Sequence, residues 1–215
     1  MVIINKLINQ KMYIVCSDLE GVFVPEIWIN VSEKTGIEEL SLTTRDISDY
    51  NVLMKRRLEI LKEHGLTIHD IRKVISDIKP LPGAMEFLTW LRGRTQLILV
   101  SDTFTEFADP LMEQLGRPTL LCNNLTIDRS GNVTGYNLRQ PEGKRKVAEA
   151  MQNLNYRVIA VGDSYNDIAM LRQADLGILY RPPMNVIEDH NDLTVVNSYS
   201  ELKHLISSKI DLVKT

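Results

Sequence analysis

Apolar positions along this chain fall into short β-branched runs, separated by stretches in which apolar residues recur every third or fourth position. The runs are Tyr13-Ile14-Val15-Cys16-Ser17, Gln96-Leu97-Ile98-Leu99-Val100-Ser101, Thr119-Leu120-Leu121-Cys122, Arg157-Val158-Ile159-Ala160-Val161, Leu176-Gly177-Ile178-Leu179 and Leu193-Thr194-Val195-Val196. Near-continuous apolar character in such runs predicts strands buried on both faces, the environment of a parallel sheet covered by helices. Strand and helix patterns that alternate in this way predict an α/β fold with a Rossmann-like core.

Two segments break the rhythm. Between Leu125 and Leu138 the chain alternates around the turn-rich tip Asp128-Arg129-Ser130-Gly131-Asn132, which predicts a β-hairpin. Residues 25–80 carry helical periodicity and no buried run, with Gly65 as an internal stop and Pro80 and Pro82 closing the segment. This predicts a helical cap inserted after the first strand, with the core formed by residues 12–24 and 81–215. Residues 1–11, ahead of Met12, read as an N-terminal extension too short and polar for a signal sequence.

Composition narrows the partners. A formal net charge of -3 gives no basic footprint for nucleic acid and no cationic face for a membrane, which favours a small-molecule substrate. No apolar stretch approaches the length of a membrane span, so the chain is expected in the cytoplasm. Cys16 and Cys122 each close an apolar run and suit buried strand ends in a reducing compartment. The histidines, His64, His69, His190 and His204, form no zinc-ligand pattern.

Ligands of open α/β sheets bind beyond the carboxyl ends of the strands, and here those ends are acidic. The first run leads into Asp18-Leu19-Glu20-Gly21, the second into Ser101-Asp102-Thr103, and a later one into Gly162-Asp163-Ser164-Tyr165-Asn166-Asp167. Carboxylates converging on one edge repel unless a cation holds them, and hard oxygen ligands without Cys or His point to magnesium, Mg2+. Asp18 and Glu20, two apart, offer one carboxyl to attack phosphorus and another to move protons; an acidic cap entering a helix is the competing reading. Ser101 and Thr103 are expected at the start of the next helix, either binding phosphate or capping it. Lys144 opens a later helix, where its charge would either neutralise a phosphoryl group or lie in solvent.

Taken in order, Asp18/Glu20, Ser101, Lys144 and Asp163/Asn166/Asp167 resemble the four motifs of the haloacid dehalogenase-like phosphatase superfamily, over about residues 12–197. The resemblance implies Asp18 as nucleophile, Glu20 as acid/base and as a magnesium ligand through its backbone carbonyl, and Asp163 as a further ligand. It also implies Ser101 and Lys144 on the phosphoryl oxygens, with Asn166 and Asp167 in support. The inserted helices and the stretches DLEGVFVPEIW, TTRDISDYNVLMKRRLEIL, SDTFTEFADPLMEQLG and GDSYNDIAML resemble the phosphoserine phosphatases of this superfamily, in particular bifunctional bacterial enzymes that also pass the phosphoryl group to homoserine. That resemblance implies phosphoserine and homoserine as substrates, points toward a homodimer, and extends the substrate-binding set to Glu26, Arg57, Ser101, Asp102, Thr103, Lys144 and Asn166.

Arg57 shares a helical face with Leu53, Met54, Leu58 and Leu61, where its guanidinium needs an anionic partner. A substrate carboxylate, a protein carboxylate and snorkelling to solvent all remain open for it. Glu26, just past Pro25, either meets a substrate ammonium or complements a helix dipole. The chain departs from the superfamily pattern in carrying Glu20 and Val22 where Asp and Thr or Ser are usual. It carries Asp102-Thr103 where phosphoserine phosphatases commonly have a Gly pair. The rival readings are a phosphatase for another small phosphomonoester and a non-catalytic binding domain on the same fold; the presence of all four motifs argues against the second.

Overall fold

In the computed structural model, residues 12–43, 46–47 and 49–211 are described; the expected N-terminal extension lies outside them. Among the described residues, seven strands form one sheet in the order β4-β3-β2-β1-β5-β6-β7. The strands are β1 (Tyr13–Ser17), β2 (Gln96–Phe104), β3 (Leu120–Ile127), β4 (Val133–Asn137), β5 (Arg157–Gly162), β6 (Leu176–Tyr180) and β7 (Thr194–Val196). Every pairing is parallel except β3 with β4. β1 lies at the centre, with Cys16 opposite Ile98 of β2 and Ala160 of β5. The chain winds first to the β2 side and then to the β5 side, so a crevice opens where the order reverses.

The apolar runs form strands because both faces are covered. Val15, Leu99 and Ile159 pack into one core layer and Ile14, Cys16, Val158 and Ala160 into the other. The hairpin of residues 125–138 is continuous with the preceding run: β3 pairs with β2 through Leu120 and Leu121 and with β4 through Asn124 and Leu125.

β2 extends three residues past Ser101, and α5 (Thr105–Gln114) begins only at Thr105. Ser101 and Thr103 therefore lie in a strand, not at the helix start expected from the sequence. The cause is an irregularity in the ladder, where β2 takes four steps from Val100 to Phe104 against two on β3 from Leu121 to Asn123. Such bulges re-aim side chains at sheet edges.

Between β1 and β2 lie α1 (Ile27–Thr35), a short 3-10 turn (Glu38–Ser41), α2 (Tyr50–Glu63), α3 (Ile68–Asp77) and α4 (Ala84–Arg92). Asp49 caps α2, accepting the Asn51 and Val52 N–H groups at 2.8 and 3.3 Å, and Thr67 and Asp70 form a reciprocal box at the start of α3. Of these, α4 packs against β2 and the C-terminal helix of residues 199–210, while α1 to α3 form a layer that is tied to the rest of the protein at several points. Trp28 packs edge-on to Phe107 at 5.4 Å, Arg72 pairs with Asp109 at 2.7 Å, and the Ile68 N–H donates to the Gly131 carbonyl at the hairpin tip at 2.8 Å. The remaining helices are α6 (Gly143–Asn153), α7 (Ile168–Gln173), α8 (Met184–Asp189) and α9 (Tyr199–Ile210). No helix of the described residues is long and apolar enough to cross a membrane.

Candidate active site

The carboxyl edge of the sheet gathers the acidic strand ends. Asp18 follows β1 directly, and its N–H donates to the Val161 carbonyl of β5 at 2.9 Å, which extends the ladder one residue beyond the strand. Its Oδ1 accepts the Leu19 N–H at 2.7 Å and its Oδ2 accepts the Lys144 ammonium at 2.8 Å. Lys144, in the first turn of α6, donates equally to Asp167 Oδ1 at 2.7 Å. Asp167 Oδ2 takes the N–H groups of Asp163 and Ser164 at 3.0 and 3.1 Å and so pins the turn that follows β5.

Two glycines make this closeness possible. At Gly162 an added Cβ would stand 2.3 Å from Asp167 Cγ. At Gly21, whose φ is +73°, it would stand 2.3 Å from Asp163 Cγ; glycine meets both the conformational and the steric demand.

Ser101 and Thr103 are buried at the end of β2, with the Ser101 hydroxyl accepting the Thr103 N–H at 3.2 Å. Asp102, between them, turns to the mouth of the crevice. Its Oδ2 accepts from Asn166 Nδ2 at 2.9 Å and lies 3.7 Å from Lys144 Nζ.

At the opposite side of the crevice the helical layer presents Arg57, only 6% exposed although cationic. Its guanidinium lies 4.5 Å over the Trp28 ring and donates to the Leu42 carbonyl at 2.7 Å, while its Nε has no hydrogen-bond partner among the described residues. Among the described residues Arg57 makes no ion pair within 4 Å, although the carboxylates of Glu20 and Glu26 are near enough to act on its charge. Burial pulls its pKa down to about 10 against the opposing pull of Tyr50, Glu20 and Glu26. Glu20 Oε2 accepts the Ile27 N–H at 2.8 Å, and burial followed by the nearby Glu26 carboxylate pushes Glu20 up to about 8.

A cavity of about 310 Å³ joins the two sides, a size suited to a small metabolite. Asp18, Glu20, Glu26, Arg57, Ser101, Asp102, Thr103, Lys144, Asp163 and Asn166 all line it; Asp167 lies behind them.

Charge in the crevice is unbalanced. Burial, then Asp167 and Asp163, push the Asp18 carboxyl well above the ordinary carboxylate range, with Lys144 opposing. Burial opposes the charge on Lys144 too, but Asp167 and Asp18 outweigh it and hold the ammonium protonated. Asp18, Asp163 and Asp167 bring carboxylate oxygens within 4.8 Å of one another. A set of hard anionic oxygens without sulfur or imidazole fits a divalent cation such as magnesium. Asp167 also bonds Lys144 and two backbone N–H groups and lies behind the cavity, and the Glu20 side chain is turned to Ile27, while Asp18 and Asp163 line the cavity itself.

A family model described as haloacid dehalogenase-like hydrolase matches residues 22–175. The chain belongs to the haloacid dehalogenase-like hydrolases. Phosphoserine phosphatase ThrH of Pseudomonas aeruginosa is 58% identical over 192 residues, 89% of this chain and 94% of that protein. A phosphoserine phosphatase of Pseudomonas syringae pv. tomato is 55% identical over 201 residues, 94% of this chain and 85% of that protein. A solved structure described as a phospho-aspartyl intermediate analogue of phosphoserine phosphatase is similar with a TM-score of 0.72 at 23% identity, covering 90% of this chain and 98% of that one, a likeness of fold.

Within this haloacid dehalogenase-like site, sequence reasoning passed over Trp28 and Tyr50. Trp28 carries Arg57 on its ring, and the Tyr50 hydroxyl donates to the Asp102 carbonyl at 3.3 Å, linking the helical layer to the bulged end of β2. The available signal for Trp28 was its place at the end of the DLEGVFVPEIW stretch. Tyr50 sits at the first position of α2, where nothing in the local pattern separates a wall residue from a surface one.

Proposed function

We propose that this haloacid dehalogenase-like hydrolase is a magnesium-dependent phosphoserine phosphatase that also transfers the phosphoryl group to homoserine, through an aspartyl-phosphate on Asp18. The supporting observation is the buried Lys144 ammonium bridging Asp18 and Asp167, in one cavity with Arg57 and Glu26. A single small ligand can therefore meet both a nucleophile and a pair of side chains of opposite charge. The relatives named phosphoserine phosphatase, at 58% and 55% identity, add weight to the choice of phosphoserine.

In this reading a carboxylate oxygen of Asp18 attacks phosphorus while the bond from phosphorus to the serine oxygen breaks. Glu20, held protonated near neutral pH by its burial, gives its proton to that oxygen. Water or the homoserine hydroxyl then returns a proton to Glu20 as its oxygen attacks the same phosphorus, and the bond to Asp18 breaks. Lys144 and Ser101 face the phosphoryl oxygens, and Lys144 offsets their charge. Arg57 takes the amino-acid carboxylate and Glu26 its ammonium; the unpartnered Nε and the aromatic floor beneath the guanidinium suit a planar, bidentate anion. Magnesium, held by Asp18, Asp163 and the Glu20 carbonyl, would supply charge neutralisation at the phosphoryl group.

Incubating the purified protein with magnesium and phosphoserine, with and without homoserine, tests the reading when phosphate and phosphohomoserine are followed together. Both products are expected. Phosphate alone removes the transferase, and turnover of a generic phosphomonoester but not of phosphoserine removes the substrate while leaving the chemistry.

A further inference from the structure

We infer that Asp102 is a positioning residue that acts through Lys144: its carboxylate opposes the phosphoryl group at that ammonium and so weakens the hold on inorganic phosphate. The inference rests on the phosphoryl chemistry proposed above and deepens it.

Lys144 already has two buried partners, Asp18 at 2.8 Å and Asp167 at 2.7 Å, and Asp102 at 3.7 Å adds charge without a hydrogen bond. Its position sets it apart. The Asp102 side chain is 45% exposed where those of Asp18 and Asp167 are 5% and 0%. It is nonetheless held still. The main-chain carbonyl of Asp102 accepts from the Tyr50 hydroxyl and from Asn123 Nδ2 at 3.3 and 3.1 Å, and Oδ2 accepts from Asn166 Nδ2 at 2.9 Å.

Among the described residues lining the cavity, Lys144 is the sole ammonium, so a phosphoryl group attacked by Asp18 sets its oxygens against Lys144 and within the field of Asp102. Two anions that share one ammonium repel even in a partly solvated mouth. A substrate ammonium does not relieve this, because Glu26 and Arg57 stand on the other side of the cavity with the charges an amino acid needs. An asparagine keeps an oxygen that can accept the Asn166 hydrogen bond, so what it removes beyond shape is chiefly the charge of Asp102.

Binding of inorganic phosphate to the magnesium-loaded protein, measured by titration calorimetry at low and high ionic strength, separates charge from shape. Asp102→Asn is expected to bind phosphate about tenfold more tightly at low salt, with the gap narrowing at high salt, while Asp102→Glu stays within about threefold of wild type. Unchanged or weaker binding by Asp102→Asn overturns the inference, and so does a gain that salt leaves intact. If the folded wild type with magnesium turns over neither phosphoserine nor a generic phosphomonoester, the proposed function fails and carries this inference with it. A normal wild-type affinity with no gain in the variant refutes the role of Asp102 alone.

Discussion

The Lys144 ammonium stands 2.8 Å from Asp18 Oδ2 across a separation of 126 residues, and the two side chains bury each other at the carboxyl edge of the sheet. One cation there serves a crowd of anions, since Asp163 and Asp167 also bring carboxylate oxygens within 4.8 Å of Asp18. Removing a carboxylate should therefore relieve repulsion while removing chemistry. Asp18→Asn is expected to lose phosphatase activity by at least about 10³-fold. Without magnesium it is expected to melt about 2–4 °C above the metal-free wild type, and its further rise on adding magnesium should be smaller. A metal-free variant that melts lower than wild type would show that Lys144 depends on Asp18 more than the carboxylates repel.

Gly21 and Asp163 provide a second test, because they touch through space and not through chemistry. A Cβ at position 21 meets the Asp163 carboxyl at 2.3 Å on a backbone with φ of +73°. Gly21→Ala is expected to destabilise the fold by about 1–2 kcal/mol from backbone strain. It should also move Asp163, so that the magnesium concentration giving half-maximal activity rises by about tenfold or more. Thermal melting and a magnesium titration read the two effects separately. Strain without a change in magnesium dependence would mean that Asp163 does not serve the metal.

The sheet was legible from the sequence because its strands are buried on both faces, and the run from Leu97 to Val100 cannot be mistaken for a half-exposed edge. Its polar extension was not. Ser101-Asp102-Thr103 looks like the end of a strand, yet it stays extended because β2 bulges against β3 and Asn123 reaches across to the Asp102 carbonyl at 3.1 Å. A bulge depends on the partner strand, which local pattern does not reveal. The same limit applies to Arg57: its helical face was evident, but the ring of Trp28 beneath it and the Leu42 carbonyl beside it come from other turns of the chain. Ordered motifs at strand ends could be read one at a time, whereas the convergence of Lys144 on Asp18 and Asp167 exists only once the sheet is wound.

Arg57 offers a test of substrate class. Its guanidinium is stacked on Trp28 and bonded to Leu42, with the Nε unpartnered among the described residues. Arg57→Ala is expected to raise KM for phosphoserine by about 100-fold, in the range of a lost charge-assisted pair, and to raise KM for a phosphomonoester lacking a carboxylate far less. Arg57→Lys should recover little, since a point charge reproduces neither the planar fork nor the stacking. Equal losses on both substrates would assign Arg57 to packing of the helical layer.

Glu20 tests the link between proton transfer and the choice of acceptor. Burial and the Glu26 carboxylate hold it up to about 8, so it is protonated at pH 7 and loses its proton as pH rises through that value. The first phosphoryl transfer needs the protonated form, so its single-turnover rate is expected to fall above about pH 8, and Glu20→Gln should abolish that pH dependence along with most of the rate. Glu20→Asp shortens the arm that now reaches the Ile27 N–H at 2.8 Å and opens room for water beside the reacting oxygen. The ratio of phosphohomoserine to phosphate should then fall, by about threefold or more, if the longer carboxyl favours a bound alcohol over water. An unchanged ratio at reduced rate would mean that Glu20 moves the proton without selecting the acceptor, and the selection would then have to lie with the residues that hold the amino acid.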